Sequence, residues 1–223
     1  MGKLIIIEGT DGSGKQTQSE LLFKRLKEEE RKIKKITFPD YDSDSSMLVK
    51  MYLRGDFGDK PGDVNPYVSS TFYTCDRFAS FKMKWGKDYN DGSIILSDRY
   101  TTSNMVHQAS KIEDSEEKDK YLKWLIDFEF NVYGLPEPDM VVFLNMSPEK
   151  SQELMKNRSN KFSGEKEKDI HEKDREYLEK SYNNAMDIAK EYGWVIIDCV
   201  DGERIKTIDE INQEIYEKVI EIL

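Results

Sequence analysis

Only two cysteines, Cys75 and Cys199, occur in 223 residues. That is too few for a disulfide framework, so a packed core has to carry the fold, and the expected compartment is the cytoplasm. Long hydrophobic runs are missing as well. No stretch approaches the roughly 20 apolar residues of a membrane-spanning helix. The first residues read as a strand entering a loop, not as the hydrophobic segment of a secretion signal. Histidine is scarce, and His107 and His171 form no metal-ligand cluster with either cysteine. Positive charge is in deficit: 34 Lys and Arg stand against 44 Asp and Glu, a formal net charge of −10. Such a balance argues against broad nucleic-acid binding, which needs a basic face, but leaves room for a local basic pocket that takes a small polyanion. Repeats and low-complexity linkers are also absent, so residues 1–223 are expected to form one domain.

Apolar residues make up 37% of the chain and recur with regular spacing, as in a globular protein. The sharpest local pattern lies near the start. An apolar run, Leu4 to Ile7, leads into Gly9-Thr10-Asp11-Gly12-Ser13-Gly14-Lys15-Gln16-Thr17, and a helix-forming run follows. Strand, glycine loop, lysine and helix, in that order, make a phosphate-cradling P-loop. The glycines let backbone N–H groups close around an anion. The helix N-terminus adds partial positive charge and Lys15 a full one. The position after the lysine usually holds Ser or Thr for Mg²⁺ and here holds Gln16, with Thr17 next. The Gln16 amide oxygen, a water it holds, or the Thr17 hydroxyl can each serve the ion.

Further strands are expected at Ile33–Phe38, Ser93–Ser97, Asp139–Leu144 and Trp194–Asp198. Helices are expected at Lys15–Arg31, Met47–Leu53, Tyr67–Tyr89, Thr101–Ser110, Lys118–Tyr133, Pro148–Asn157, Lys173–Tyr192 and Ile205–Leu223. Five apolar strands alternating with helices predict an α/β, three-layer P-loop NTPase fold. Its five-stranded parallel sheet has helices on both faces, and ligands sit at the carboxyl ends of the strands. Asp98-Arg99-Tyr100 directly follows the third strand. An acid there can hold Mg²⁺ or its waters, and the arginine offers a bidentate fork to phosphate. Between Arg158 and Lys168 the apolar period disappears, and Arg158, Lys161, Lys166 and Lys168 form a basic segment around Ser163-Gly164 that reads as mobile.

Taken in order, these pieces resemble the thymidylate kinases, P-loop kinases of nucleoside monophosphates. The matching stretches are the Glu8–Thr17 loop, Phe38-Pro39, Tyr73-Thr74-Cys75-Asp76-Arg77, Asp98-Arg99-Tyr100 with Ser103-Asn104, and a basic lid at about 158–170. The resemblance implies ATP-dependent phosphorylation of dTMP to dTDP, with Mg²⁺ brought by ATP and held near Thr17 and Asp98. It implies that Gly9, Asp11, Gly12, Ser13, Gly14, Lys15, Gln16 and Thr17 bind the nucleotide donor. It places Asp11 near the acceptor's 3′-hydroxyl, Phe38 at the acceptor site, Tyr73 against thymine and Arg77 on a base carbonyl. Arg99 would hold the monophosphate, and Asn104 and Gln108 would reach the base or its phosphate. Catalysis would rest on Lys15, Asp98, Arg99 and Arg158. Arg158 either clamps the transferring phosphate or stacks on adenine. The Asp201-Gly202 backbone would pack against adenine, and a homodimer is implied, with the Tyr67–Tyr89 helix contributing.

Three departures accompany the likeness. Tyr41 stands where an acceptor-phosphate arginine is usual and brings a hydroxyl donor without charge, so acceptor-phosphate binding is expected to be weaker unless Arg54 or a lysine compensates. His107 stands where some members carry a tyrosine that crowds a ribose 2′-hydroxyl. Asp169-Ile170-His171-Glu172 lacks the lid arginine. Two other readings stay open: a kinase for another nucleoside monophosphate such as dUMP, and a nucleotide-binding regulator without turnover.

Overall fold

The computed structural model describes residues 1–155 and 175–223. The expected lid at 158–170, with Arg158 and the departure at Ile170, lies outside the described residues. Five strands make the main sheet: β1 (Lys3–Glu8), β2 (Ile33–Thr37), β3 (Ile94–Asp98), β4 (Met140–Asn145) and β5 (Val195–Asp198). Their spatial order is β2-β3-β1-β4-β5, and every pair is parallel.

β1 lies at the centre, and Leu4, Ile5, Ile6 and Ile7 are all fully buried. Successive side chains on a strand point to opposite faces, so this continuous apolar run needs cover on both sides. Ile5 and Ile7 pack with Leu22 and Leu26 of α1 (Lys15–Glu28) and with Ile211, Ile215 and Val219 of a C-terminal helix, Ile208–Ile220 (α9). Leu4 and Ile6 pack on the other face against Trp85, Tyr89 and Tyr100. Each is a large aliphatic group removed from water, and truncation to alanine at such a site costs about 2–5 kcal/mol.

Among the described residues the other α-helices are α2 (Met47–Arg54), α3 (Pro66–Ser80), α4 (Gly86–Asn90), α5 (Thr101–His107), α6 (Ser115–Ile126), α7 (Pro148–Met155) and α8 (Arg175–Glu191). Several ends differ from the sequence expectation, each for a local reason. The helix expected over Lys15–Arg31 closes at Glu28, because Glu30 adopts a left-handed φ of 59° and Arg31 N–H turns back to the Leu26 carbonyl at 3.1 Å. The helix expected from Lys118 begins at Ser115, because Asp114 caps it by accepting from Glu117 N–H at 2.9 Å. The helix expected from Ile205 begins at Ile208. Arg204–Ile205 (β7) instead pairs antiparallel with Val200–Asp201 (β6) in a small hairpin that includes Gly202.

The long helix expected over Tyr67–Tyr89 is interrupted. A wide π turn at Phe81–Trp85 separates α3 from α4. A second π turn, Asp127–Val132, follows α6. Each inserts an extra residue and shifts the helical face, which is why such turns concentrate at functional sites. The first brings Trp85 into the core. The second brings in Glu129, a fully buried acid.

Candidate active site

The site begins where β1 ends. Gly9 leaves no room for a side chain, since an added Cβ would lie 2.6 Å from Ser13 Oγ and 3.2 Å from the Leu144 carbonyl. Gly14 takes a φ of 88° to turn the loop into α1, a conformation that L residues with a Cβ adopt at a cost. Lys15 is buried and donates to the Thr10 carbonyl at 2.9 Å. Burial, followed by the nearby Arg99 charge, pushes its ammonium down to about 7. Thr10 Oγ1 and Ser13 Oγ are buried without a hydrogen-bond partner among the described residues. Buried hydroxyls rarely stay unsatisfied, so these two, with the loop N–H groups and Lys15, suit the oxygens of a phosphate chain.

Glu8 ties this loop to α5. One carboxylate oxygen accepts from Gly9 N–H at 2.9 Å, and the other from the Thr102 and Ser103 hydroxyls, each at 2.7 Å. Asp98 ends β3 directly beside Ile7 of β1. It is buried, and its Oδ1 has no hydrogen-bond partner among the described residues. A hard oxygen in that state, at the mouth of a phosphate loop, suits Mg²⁺, which takes one or two carboxylates and keeps its waters. Gln16 and Thr17 are both exposed at the start of α1.

Arg99 follows Asp98 in a left-handed conformation, φ 70°, unusual for a residue with a side chain. Its guanidinium is ion-paired with Asp11 and lies 3.1 Å from His107 Nε2, 3.4 Å from Ser103 Oγ and 3.9 Å from Glu8. Burial opposes its charge, but Asp11, Glu8 and Asp98 hold its pKa above the ordinary arginine value. A guanidinium only donates, so His107 must accept at Nε2 and is neutral. Burial, then Arg99, pushes that imidazole down to about 3. His107 also stacks on Tyr177 of α8, with ring centroids 6.2 Å apart, and accepts from the Tyr177 hydroxyl at its carbonyl at 3.1 Å.

One cavity of about 800 Å³ joins these groups. Asp11, Gln16, Asp98 and Arg99 line it at the phosphate end, with Phe38, Tyr73, Arg77, Asn104, His107 and Gln108 beyond them. Its volume is in the range of small-ligand sites. Tyr73 meets Tyr52 edge to face at 6.4 Å. Gln108 accepts from Ser69 Oγ at 2.7 Å. Tyr41 lines the cavity, carried on a loop that Asp76 fixes by accepting from Asp40 N–H at 2.7 Å and Ser45 Oγ at 2.6 Å. Arg54 does not line it and is paired with Asp56 at 2.6 Å. Thr17 does not line it either. A second hollow of about 570 Å³ lies past the ends of β4 and β5, with Asn145, Lys150, Tyr182, Asp198 and Gly202 on its walls.

No motif in the sequence marks Glu129. It forms a buried ion pair with Arg77 and also accepts from Thr74, Thr101 and Asn104. Burial lowers the Arg77 pKa, and Glu129 more than reverses this, so the net shift is upward. Apolar spacing does not reveal it: Tyr121, Leu122 and Leu125 mark the buried face of α6, but the π turn at Asp127–Val132 breaks the register before Glu129 is reached.

A family model described as thymidylate kinase matches residues 7–215. The chain belongs to the thymidylate kinase family. It is 29% identical over 194 residues to a thymidylate kinase of Mycobacterium tuberculosis (strain H37Rv), covering 86% of this chain and 87% of the relative. A thymidylate kinase of Plasmodium falciparum is 27% identical over 222 residues, covering 99% and 91%. Among solved structures, a thymidylate kinase from Candida albicans superimposes with a TM-score of 0.71 at 22% identity, covering 99% of this chain and 92% of that one. As a member of this family the chain is a phosphotransferase that phosphorylates dTMP to dTDP. In a thymidylate kinase one loop has to meet the donor's phosphates while a facing pocket holds the acceptor. Here the P-loop and the 800 Å³ cavity share Asp11 and Gln16.

Proposed function

We propose that the cavity holds dTMP with its phosphate at Arg99 and its base between Tyr73, Arg77, Asn104 and Gln108, while the P-loop holds the β- and γ-phosphates of ATP. The observation that carries this reading is the continuity of one cavity from Asp11, Asp98 and Arg99 to Tyr73, Arg77 and Asn104. In-line phosphoryl transfer needs alignment and charge neutralisation more than covalent chemistry. Lys15 and the loop amides grip the donor. Arg99, aimed by Asp11 and His107, orients the acceptor oxygen. Asp11 also faces the sugar, and Phe38 closes the wall behind it. Asp98, with Thr17 or Gln16, would hold Mg²⁺, which when bound neutralises charge on the phosphates. Arg158 is assigned to the transferring phosphate, with the lid lysines in support. The adenine belongs in the hollow beside Gly202. Tyr41 gives the acceptor phosphate a hydroxyl donor without charge. The enzyme works as a cytoplasmic homodimer on ATP and dTMP, without nucleic-acid or membrane partners; among the described residues no helix is long and apolar enough to cross a membrane.

A coupled assay of ADP release across dTMP, dUMP, UMP and CMP tests the substrate, with dTMP expected to give the highest kcat/KM. Arg99→Ala tests the acceptor assignment. Loss of a charge-assisted bidentate contact is expected to weaken dTMP binding at least tenfold. Unchanged dTMP affinity in that variant sinks the assignment.

A further inference from the structure

Glu129 does not line the cavity, yet it holds two groups that do. Its Oε2 accepts from Arg77 Nε at 2.7 Å and Thr101 Oγ1 at 2.6 Å. Its Oε1 accepts from Arg77 Nη2, from Thr74 Oγ1 at 3.0 Å and from Asn104 Nδ2 at 3.5 Å. An ionised carboxylate accepts and never donates. Asn104 must therefore turn its NH₂ toward Glu129 and its carbonyl oxygen away, and no described residue is bonded to that oxygen. Arg77 is constrained in the same manner. Its Nε and one N–H of Nη2 go to Glu129, and Nη1 donates to the Tyr100 carbonyl at 3.4 Å. One N–H remains on each terminal nitrogen. The base end of the cavity thus offers donors from Arg77 beside an acceptor from Asn104.

That order has a chemical complement. A 4-oxo pyrimidine presents an accepting C4 carbonyl next to a donating N3–H. A 4-amino pyrimidine presents the reverse, a donating amine next to an accepting N3. We propose that Glu129 is the positioning residue that fixes this donor–acceptor order and so selects 4-oxo over 4-amino pyrimidine monophosphates. The proposal rests on the reading of the cavity as the acceptor site. Discrimination of this type is strong because a wrong base leaves buried polar groups unpaired.

The test is Glu129→Gln, which keeps size and shape but lets the side chain donate, so that Asn104 is free to turn over. kcat/KM is measured for dTMP and dCMP in both proteins. The wild type is expected to prefer dTMP, and in the variant the dTMP/dCMP ratio is expected to fall at least tenfold. The loss should appear as a higher KM for dTMP, with kcat at saturation within a few-fold. A merely structural role lowers activity on both substrates together; an unchanged ratio therefore overturns the proposal. A wild type that does not prefer dTMP overturns the acceptor-site reading along with it. The variant leaves a buried arginine undercompensated, so a second measurement uses the wild type alone, as a crystal structure with dTMP bound. Arg77 is expected to stay on Glu129 with the Asn104 carbonyl oxygen on the base. An Asn104 that turns its NH₂ to the base, or an Arg77 that leaves Glu129, overturns the proposal.

Discussion

At the residue scale, Lys15 sits at an unusual point on its titration curve. Burial removes the ammonium from water, Arg99 adds repulsion, and its pKa falls to about 7. An incoming phosphate chain reverses both effects by bringing negative charge within contact distance. Binding therefore raises the Lys15 pKa, and the protein takes up a proton when nucleotide enters above pH 7. Affinity for ATP is expected to fall as pH rises from 7 to 9, approaching tenfold per pH unit at the upper end. Calorimetry at pH 8 in two buffers of different ionisation enthalpy should report close to one proton absorbed per nucleotide. Zero uptake would mean that Lys15 is already fully charged before binding and would overturn the prediction. The motif in the sequence identifies the lysine, but not its charge state, because that depends on Arg99, 84 positions away in the chain yet adjacent in the fold.

At the element scale, termini are set by single side chains. Thr207 accepts from Glu210 N–H at 3.2 Å, and Glu210 accepts in return from Thr207 N–H at 2.7 Å. This reciprocal box starts α9, whose Ile211, Ile215 and Val219 cover one face of the sheet. Thr207→Ala is expected to cost about 1 kcal/mol, a fall in Tm of about 2–4 °C, read by differential scanning calorimetry; an unchanged Tm would show that the box contributes nothing. The box was readable in the sequence as Thr-x-x-Glu, yet apolar spacing from Ile205 drew the expected helix start too early. The strands were legible because an unbroken Leu4–Ile7 run suits only a strand covered on both faces. The two π turns were not, since an inserted residue looks like ordinary helix until the packing of Trp85 and Glu129 is seen. The same reason hid Glu129 from the candidate site: Arg77 and Asn104 stood out as motif residues, whereas the acid that orients them lies in a wide turn between Phe128 and Phe130 with no motif around it.

At the scale of the whole molecule, α3 and the turn after it leave apolar side chains exposed. Val68 and Cys75, seven residues apart on α3, share one exposed side, and Met83 is exposed in the π turn that follows. Val68 is 48% and Met83 81% exposed. The opposite side of α3 carries Tyr73 and Arg77 into the acceptor site. A helix with a functional face inward and an apolar seam outward suits an isologous two-fold contact, in which the seam meets its own copy. Pairing there would brace the helix that carries Tyr73 and Arg77, linking assembly to acceptor binding. Light scattering behind size exclusion is expected to give twice the chain mass at micromolar concentration. Met83→Glu, which sets like charges near the two-fold axis, is expected to shift the protein toward monomer and raise KM for dTMP. A wild type that remains monomeric at tens of micromolar would rule out the seam as a self-contact. A dimer that persists unchanged in Met83→Glu would assign the interface to another surface.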